Sequence, residues 1–82
     1  MSDLAMRESL ANVQHEIWAH WMRYMFSVGT FNADGTWTMP AAKTERWQRQ
    51  MNTPYAQLSE SEKNSDREQA DKVLALVWEW PQ

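Results

Sequence analysis

The chain contains no cysteine, so it forms no disulfide and carries neither a cysteine nucleophile nor a thiolate metal ligand. It has two glycines, too few for the glycine-rich loops that hold phosphates in many nucleotide-dependent enzymes. Basic residues are also scarce: eight lysines and arginines stand against eleven aspartates and glutamates, a net charge of −3. We therefore expect binding neither to duplex nucleic acid nor to anionic membranes.

Long hydrophobic runs are missing as well. No stretch approaches the roughly eighteen apolar residues that a membrane span requires. Near the N-terminus, Asp3, Arg7 and Glu8 stand where a signal peptide needs an apolar run. We therefore expect a cytoplasmic protein.

Bulky apolar side chains, by contrast, are plentiful: six tryptophans and six methionines occur among 82 residues. A chain of this length is predicted to form one domain, residues 1–82, that buries only about 60% of its unfolded surface. Because such a core is thin, we expect some of these side chains to lie in a pocket or in an interface. The expected assembly is a homo-oligomer, most simply a dimer.

The first third of the chain has the spacing of a helix. No proline or glycine interrupts it before Gly29, which predicts one long helix, Asp3–Phe26, with its N-cap at Ser2 or Asp3. Two adjacent apolar stripes predict contacts on two sides of this helix and favour pairing with another subunit. The inward stripe contains Leu10, Val13, Ile17, Trp21, Tyr24 and Val28, and the second contains Ala11, His15, Trp18, Met22 and Met25.

The middle of the chain contains a turn and a short helix. Asp34-Gly35, between aromatic and β-branched residues, predicts a turn in a structured loop, where a small β-hairpin can form. Pro40 precedes a predicted short helix, Ala41–Met51, and Pro54 stops it. The predicted fold class is all-α, with two long helices, one short helix and a small hairpin in the first connection.

Residues 54–67, PYAQLSESEKNSDR, are the most informative stretch. Ser59 and Glu62 form a capping-box pattern, in which each side chain accepts a hydrogen bond from the other residue's N–H, and predict a helix from Ser59 to Glu79. Its core-facing side begins with charge and ends with apolar residues, as a polar pocket at the helix start would explain. One stripe holds Lys63, Arg67, Ala70, Leu74 and Val77, and its neighbour holds Glu62, Asp66, Gln69, Val73 and Trp80.

Two segments resemble a known family. Residues 10–19, LANVQHEIWA, resemble the opening of the ryanodine-receptor repeat domain, whose first helix carries a histidine closely followed by a tryptophan. Residues 54–67 resemble the family signature P-Y-x-x-L-x-x-x-E-K-x-x-D-R. The two segments cover about half of the chain. Between them, the Asp34-Gly35 turn and the Trp47 helix replace the family's Gly-Trp-rich stretch and His-Pro.

The resemblance implies a noncatalytic protein that binds a nucleotide or a nucleotide-derived signal, cyclic molecules included. Small stand-alone proteins of this type also resemble bacteriophage products. A phage protein that captures such a signal would sequester a molecule on which a host defence depends. The resemblance implies no cofactor.

The residues themselves indicate a nucleotide site at the start of the third helix. A helix N-terminus attracts an anion, and Lys63 and Arg67 add a point charge and a planar fork for phosphate oxygens. Tryptophan and tyrosine side chains can stack a base. The predicted ligand-binding residues are His15, Trp18, Trp21, Trp47, Tyr55, Lys63, Asp66 and Arg67.

Each of these residues also has a structural interpretation. Glu62 is explained by the helix cap, and Asp66 and Arg67 can pair with other buried polar groups. His15 can be a hydrogen-bonded core residue, and most of the tryptophans are expected in the core.

Two other functions remain open. The chain could be a protein-interaction module that uses a Trp- and Met-rich surface. The other is a weak nucleotide hydrolase, in which Glu62, Asp66 and His15 would serve as acid and base. However, His15 and His20 are five residues apart and make no metal pair, and neither a G-x-S-x-G elbow nor a phosphate loop is present. We therefore predict no enzymatic activity, no catalytic residue and no metal site.

Overall fold

The computed structural model describes residues 3–79. The predicted all-α fold with a small hairpin in the first connection is confirmed for these residues. A 3₁₀ turn, Tyr55–Gln57, precedes the last helix. The elements in chain order are α1 (Asp3–Val28), β1 (Thr30–Phe31), β2 (Trp37–Thr38), α2 (Ala41–Met51) and α3 (Glu60–Glu79).

The first helix, α1, has 26 residues and a length of about 39 Å. It runs two residues past the predicted end at Phe26, and the alternative N-cap position Ser2 lies outside the described residues. Gly29 follows because the chain folds back tightly there. A Cβ at Gly29 would meet the Trp37 ring and would lie 2.6 Å from the Thr38 carbonyl oxygen, so only glycine fits.

The two apolar stripes of α1 are covered only in part. Among the described elements, α3 is the helix that packs along α1, and one neighbouring helix covers a narrower strip than the two stripes together occupy. The prediction of an inward position was therefore wrong for Leu10 and Tyr24, which are exposed. The covered residues are Val13, Ile17, Trp21, Met22, Met25 and Val28, and the exposed ones are Leu10, Ala11, His15, Trp18 and Tyr24.

The predicted turn is the tip of a β-hairpin. β1 and β2 pair antiparallel, with Thr30 opposite Thr38 and Phe31 opposite Trp37. The Trp37 ring also packs edge-on against Phe26 of α1, with 5.6 Å between ring centroids. Since a lone two-stranded hairpin is marginal in water, this contact with the helix helps to hold it.

Hydrogen bonds close the tip of the hairpin. Asp34 Oδ1 accepts hydrogen bonds from the Thr36 hydroxyl at 2.6 Å and from the Thr36 N–H at 3.0 Å. These bonds favour the ionised carboxylate and lower the pKa of Asp34. Gly35 has a φ of +87°, a left-handed conformation that glycine adopts without a Cβ clash.

The bounds of α2 agree with the prediction. The Pro40 carbonyl oxygen accepts hydrogen bonds from the Lys43 and Thr44 N–H groups, which starts the helix. At the other end the Asn52 side chain donates to the Gln48 carbonyl oxygen at 2.9 Å. Helix α2 therefore lies between Pro40 and Pro54, as predicted.

The capping box at the start of α3 is confirmed. Ser59 Oγ accepts a hydrogen bond from the Glu62 N–H at 3.1 Å, and Glu62 Oε1 accepts one from the Ser59 N–H at 3.1 Å. Two backbone donors that a helix leaves unpaired are thereby satisfied. Helix α3 accordingly begins at Glu60, directly after Ser59.

Of the two stripes predicted on α3, the one that begins at Glu62 is the covered one. Gln69 is buried and Glu62 and Val73 are half-buried, although Asp66 is exposed. Gln69 Oε1 accepts a hydrogen bond from Lys72 Nζ at 2.8 Å. Trp80 lies outside the described residues. In the other stripe Lys63 is half-buried, whereas Arg67, Ala70, Leu74 and Val77 are exposed.

The helices leave the chain open and thin. Its radius of gyration is 16.5 Å, against about 12 Å for a compact domain of this length. Of the described residues, only Val13 and Gln69 are buried. The core is thus thin, as was predicted, and the chain is more open than a compact domain of its length.

Candidate functional site

A cleft of about 770 Å³ opens between the second half of α1, the helix α2 and the first half of α3. This volume lies within the range of about 300–1,000 Å³ that is usual for small-molecule sites. Aromatic and methionine side chains line one side of the cleft, and polar side chains of α3 line the other. The two sides therefore offer different chemistry to a ligand.

An aromatic wall, formed by Trp21, Tyr24 and Trp47, joins α1 to α2. Trp21 and Tyr24 meet edge to face with ring centroids 6.3 Å apart, and Tyr24 and Trp47 are 6.1 Å apart at 51°. Met25 and Tyr55 also line the cleft. Aromatic rings that line a cleft give a planar ligand a surface on which to stack.

Five polar residues of α3 line the cleft: Glu68 and a set of four. The four are spaced as two pairs four residues apart, so they lie on one side of the helix. Their carboxylate and hydroxyl oxygens accept hydrogen bonds, which suits a ligand that presents N–H or O–H groups. These residues are Ser61, Glu62, Ser65 and Asp66.

Glu62 has one oxygen engaged and one free. Oε1 accepts the Ser59 N–H, whereas Oε2 is buried and has no hydrogen-bond partner within residues 3–79. The hydrogen bonds with Ser59 lower the pKa of Glu62, and the charges of Arg46 and Arg49 lower it further. A buried acceptor without a donor is unfavourable, so a ligand N–H or O–H at Oε2 would relieve it.

Arg46 brings a positive charge to the cleft from α2. Its side chain forms no ion pair and no hydrogen bond with the described residues, although its charge acts on Glu62. Its guanidinium therefore keeps its forked set of N–H donors for an anionic group, and phosphate or carboxylate oxygens match that fork.

A second polar group, which we call the Tyr55 cluster, consists of Tyr55, Glu60, Lys63, Asn64 and Arg67. Arg67 donates from Nε to the Tyr55 hydroxyl at 3.0 Å, and from Nη1 to Glu60 Oε2 at 3.0 Å and Asn64 Oδ1 at 2.8 Å. Lys63 Nζ lies 3.7 Å from Glu60 Oε1 and 5.9 Å from the centre of the Tyr55 ring. The bond with Arg67 lowers the pKa of Glu60, and the bonds with Glu60 and Tyr55 raise the pKa of Arg67. The cluster therefore satisfies its charges within the chain.

The predicted site residues fall into three places. Lys63 and Arg67 belong to the Tyr55 cluster and are not among the residues that line the cleft. His15 and Trp18 stack on each other with ring centroids 5.8 Å apart, on an exposed part of α1 that does not reach the cleft. The four that line the cleft are Trp21, Trp47, Tyr55 and Asp66.

The start of α3, where an anion was predicted, is occupied by the chain's own carboxylates. Glu60 and Glu62 stand in the first turn and complement the helix dipole. A phosphate placed there would meet two negative charges. The carboxylate that pairs with Arg67 is Glu60, and Asp66 is exposed and forms an ion pair with neither Lys63 nor Arg67.

Several residues that line the cleft were not predicted from the sequence as ligand-binding residues, namely Arg46, Tyr24 and the serines of α3. The serines had a signal, because Ser61 and Ser65 repeat the four-residue spacing of Glu62 and Asp66 beside them. Arg46 precedes Trp47 in the chain, but its place beside Glu62 depends on how α2 meets α3. Glu62 was interpreted as a cap, and its Oε1 does form the cap bond. Its Oε2 has no hydrogen-bond partner within residues 3–79, so it can also accept a bond from a ligand.

The histidine that lines the cleft is His20, not His15, so an acid-base group with Glu62 and Asp66 could not include His15. Residues 3–79 contain no group of three or more histidine or acidic side chains placed to hold a metal ion. No helix within the same range is long and apolar enough to cross a bilayer.

Comparisons of the chain with family models, with curated proteins and with solved structures gave no match.

Proposed function

We propose that the cleft binds a nucleotide or a nucleotide-derived molecule, cyclic forms included, and does not convert it. The observation that carries this proposal is the combination, in one cleft, of an aromatic wall with Glu62 Oε2 and the Arg46 guanidinium, neither of which has a hydrogen-bond or ion-pair partner within residues 3–79. A nucleotide has the three matching parts: a planar base, N–H and O–H donors on base and ribose, and a phosphate.

The charges of the cleft favour one orientation of the ligand. Carboxylates on the α3 side repel a phosphate and accept hydrogen bonds, so the base edge or the ribose hydroxyls lie there, near Glu62 and Asp66. The base stacks on the aromatic wall, and the phosphate lies towards Arg46 on α2. In this arrangement the base meets the aromatic wall, the N–H and O–H donors meet Oε2 of Glu62, and the phosphate meets Arg46.

Capture without conversion is what sequestration of a signal requires. The resemblance to the ryanodine-receptor repeat domain implies a phage protein that withholds such a signal from a host defence, and the proposed binding supplies the physical means. The first step of that role is tight retention of an intact molecule.

Retention is tested by denaturing the purified protein and identifying the released small molecules by mass spectrometry. Calorimetric titration with AMP, GMP, cyclic AMP and cyclic GMP then gives the affinities. We expect one or more of these to bind and to be recovered with unchanged mass. A recovered product of different mass would support the hydrolase instead, and no binding to any of the four would contradict the proposal.

Trp47→Ala and Trp78→Ala form a matched pair for this test. Trp47 belongs to the aromatic wall, whereas Trp78 lies near the end of α3 with 78% of its surface exposed. Because base stacking contributes about 1–3 kcal/mol, we expect Trp47→Ala to weaken binding about tenfold. Trp78→Ala should bind like the parent. If the two variants bind with equal affinity, the base does not stack on the aromatic wall.

A further inference from the structure

An apolar ridge lies on the outer side of α1. Trp18, Met22 and Phe26 follow one another at four-residue spacing, and Phe31 of β1 continues the line by stacking on Phe26 at 5.7 Å. We call these four residues the α1 ridge. Trp18 is 55% exposed and Phe31 is 66% exposed, whereas Met22 is half-buried. The four residues line a shallow depression together with Ala19, Arg23 and Ser27.

The accessible surface of the chain is larger than its mass warrants. It amounts to 6500 Å², whereas a compact chain of 9.7 kDa exposes about 5,100 Å². The excess of about 1,400 Å² falls within the roughly 1,000–2,500 Å² that each chain buries in a homodimer interface. The excess belongs to the whole chain, the open cleft included, and is comparable in size to the surface that a second copy would cover.

From this area and from the ridge we infer that two copies of the chain pair through their α1 ridges as a homodimer. Ridges made of residues four apart pack into one another in the commonest class of helix crossing. A two-fold axis near Met22 would bring Trp18 of each copy towards Phe26 of the other, so one patch serves both sides.

A second copy fits the ridge better than an unrelated protein does. Only two residues in the described part of the chain are buried, so covering the ridge would stabilise the folded chain. A second copy can do this whenever the chain is folded, whereas an unrelated protein can do it only when it is present. A second copy of the chain is present wherever the chain itself is made. The ridge meets the cleft at Met22, which lines both, but it shares no residue with the aromatic wall.

Light scattering after size exclusion, at micromolar concentration, tests the dimer with Trp18→Glu and Trp78→Glu. Both positions are exposed tryptophans, but only Trp18 belongs to the ridge. We expect the parent and Trp78→Glu to show twice the 9.7 kDa chain mass, and Trp18→Glu to show the single mass. A parent of single mass would overturn the proposal and leave the ridge to another protein, as would a Trp18→Glu variant that stays dimeric.

If Trp18→Glu does not fold, Trp18→Ala decides the question, because it removes the apolar contact without adding a charge. Sedimentation over a range of concentrations should show a dimer dissociation constant about tenfold higher than that of the parent, and Trp78→Ala should show no change. The parent's thermal midpoint should also rise with protein concentration. A constant midpoint, or equal dissociation constants, would refute pairing through the ridge.

Discussion

Two arginines near the start of α3 have opposite surroundings. Arg67 is held by Tyr55, Glu60 and Asn64, so its donors are used within the chain. Arg46 lines the cleft, and its side chain forms no ion pair and no hydrogen bond with the described residues. The difference indicates that a charged group bonded to its own chain supports folding, whereas an unpaired one in a cleft is available to a ligand.

The sharpest way to break this comparison is to remove each arginine in turn. Arg46→Ala should weaken binding of the tightest member of the nucleotide panel about tenfold or more, because a charge-assisted contact is lost, and should leave the thermal midpoint unchanged. Arg67→Ala should lower the thermal midpoint and leave the dissociation constant close to that of the parent. Calorimetry and thermal melts of both variants provide the measurement.

Arg46→Lys serves as the conservative control for this pair. It should restore part of the lost affinity, since an ammonium keeps the charge and lacks the forked geometry of a guanidinium. If Arg67→Ala loses binding while Arg46→Ala keeps it, the phosphate lies at the Tyr55 cluster, as the sequence alone suggested.

A smaller effect is expected when the helix cap is removed. Ser59→Ala loses the Oγ acceptor of the Glu62 N–H, so the free energy of unfolding should fall by about 1 kcal/mol. Ser61→Ala is the matched control, because its side chain lines the cleft and takes no part in the cap. Urea unfolding of both variants measures the difference. Equal stabilities would mean that the cap adds nothing to α3.

The smallest expected effect concerns pH. Hydrogen bonds with Ser59 hold the pKa of Glu62 below its ordinary value of 4.5 in the folded chain. The stabilisation from Glu62 is therefore complete above that value and is lost as the pH falls through the lower folded value. Glu62→Gln should flatten this acid loss of stability, whereas Asp66→Asn, which lacks the cap bonds, should keep it. Urea midpoints from neutral pH downwards decide this, and identical profiles for parent and Glu62→Gln would contradict the expectation.

Element boundaries could be predicted because the signals that set them are local. Gly29, the prolines and the Ser59–Glu62 pair act within a few residues of themselves, and the observed bounds differ from the predicted ones by two residues or fewer. The covered faces depend on which helix lies alongside. The exposure of Leu10 and Tyr24 follows from the placement of α3, which no local pattern records.

The candidate site divides in the same way. Trp21, Trp47, Tyr55 and Asp66 could be assigned to a site from residue type and spacing, and the cleft brings them together. His15 and Trp18 lie close in sequence to Trp21 but face another direction on α1. Two partners of Arg67 follow from helical spacing, since Glu60 and Asn64 lie seven and three residues before it on the same helix. The third, the Tyr55 hydroxyl, lies outside α3 and depends on how the chain folds before the helix.

Gln69 is buried on α3, and its Oε1 accepts a hydrogen bond from Lys72, three residues further along the same helix. Because both partners belong to α3, this bond satisfies the buried amide without fixing how α3 lies along α1. A slip of α3 by one turn, about 5.4 Å, would carry Glu62 away from Arg46 and the aromatic wall. The alignment of the two sides of the cleft therefore depends on the packing of α1 against α3, and a change that loosens this packing would separate the two sides before either helix unfolds.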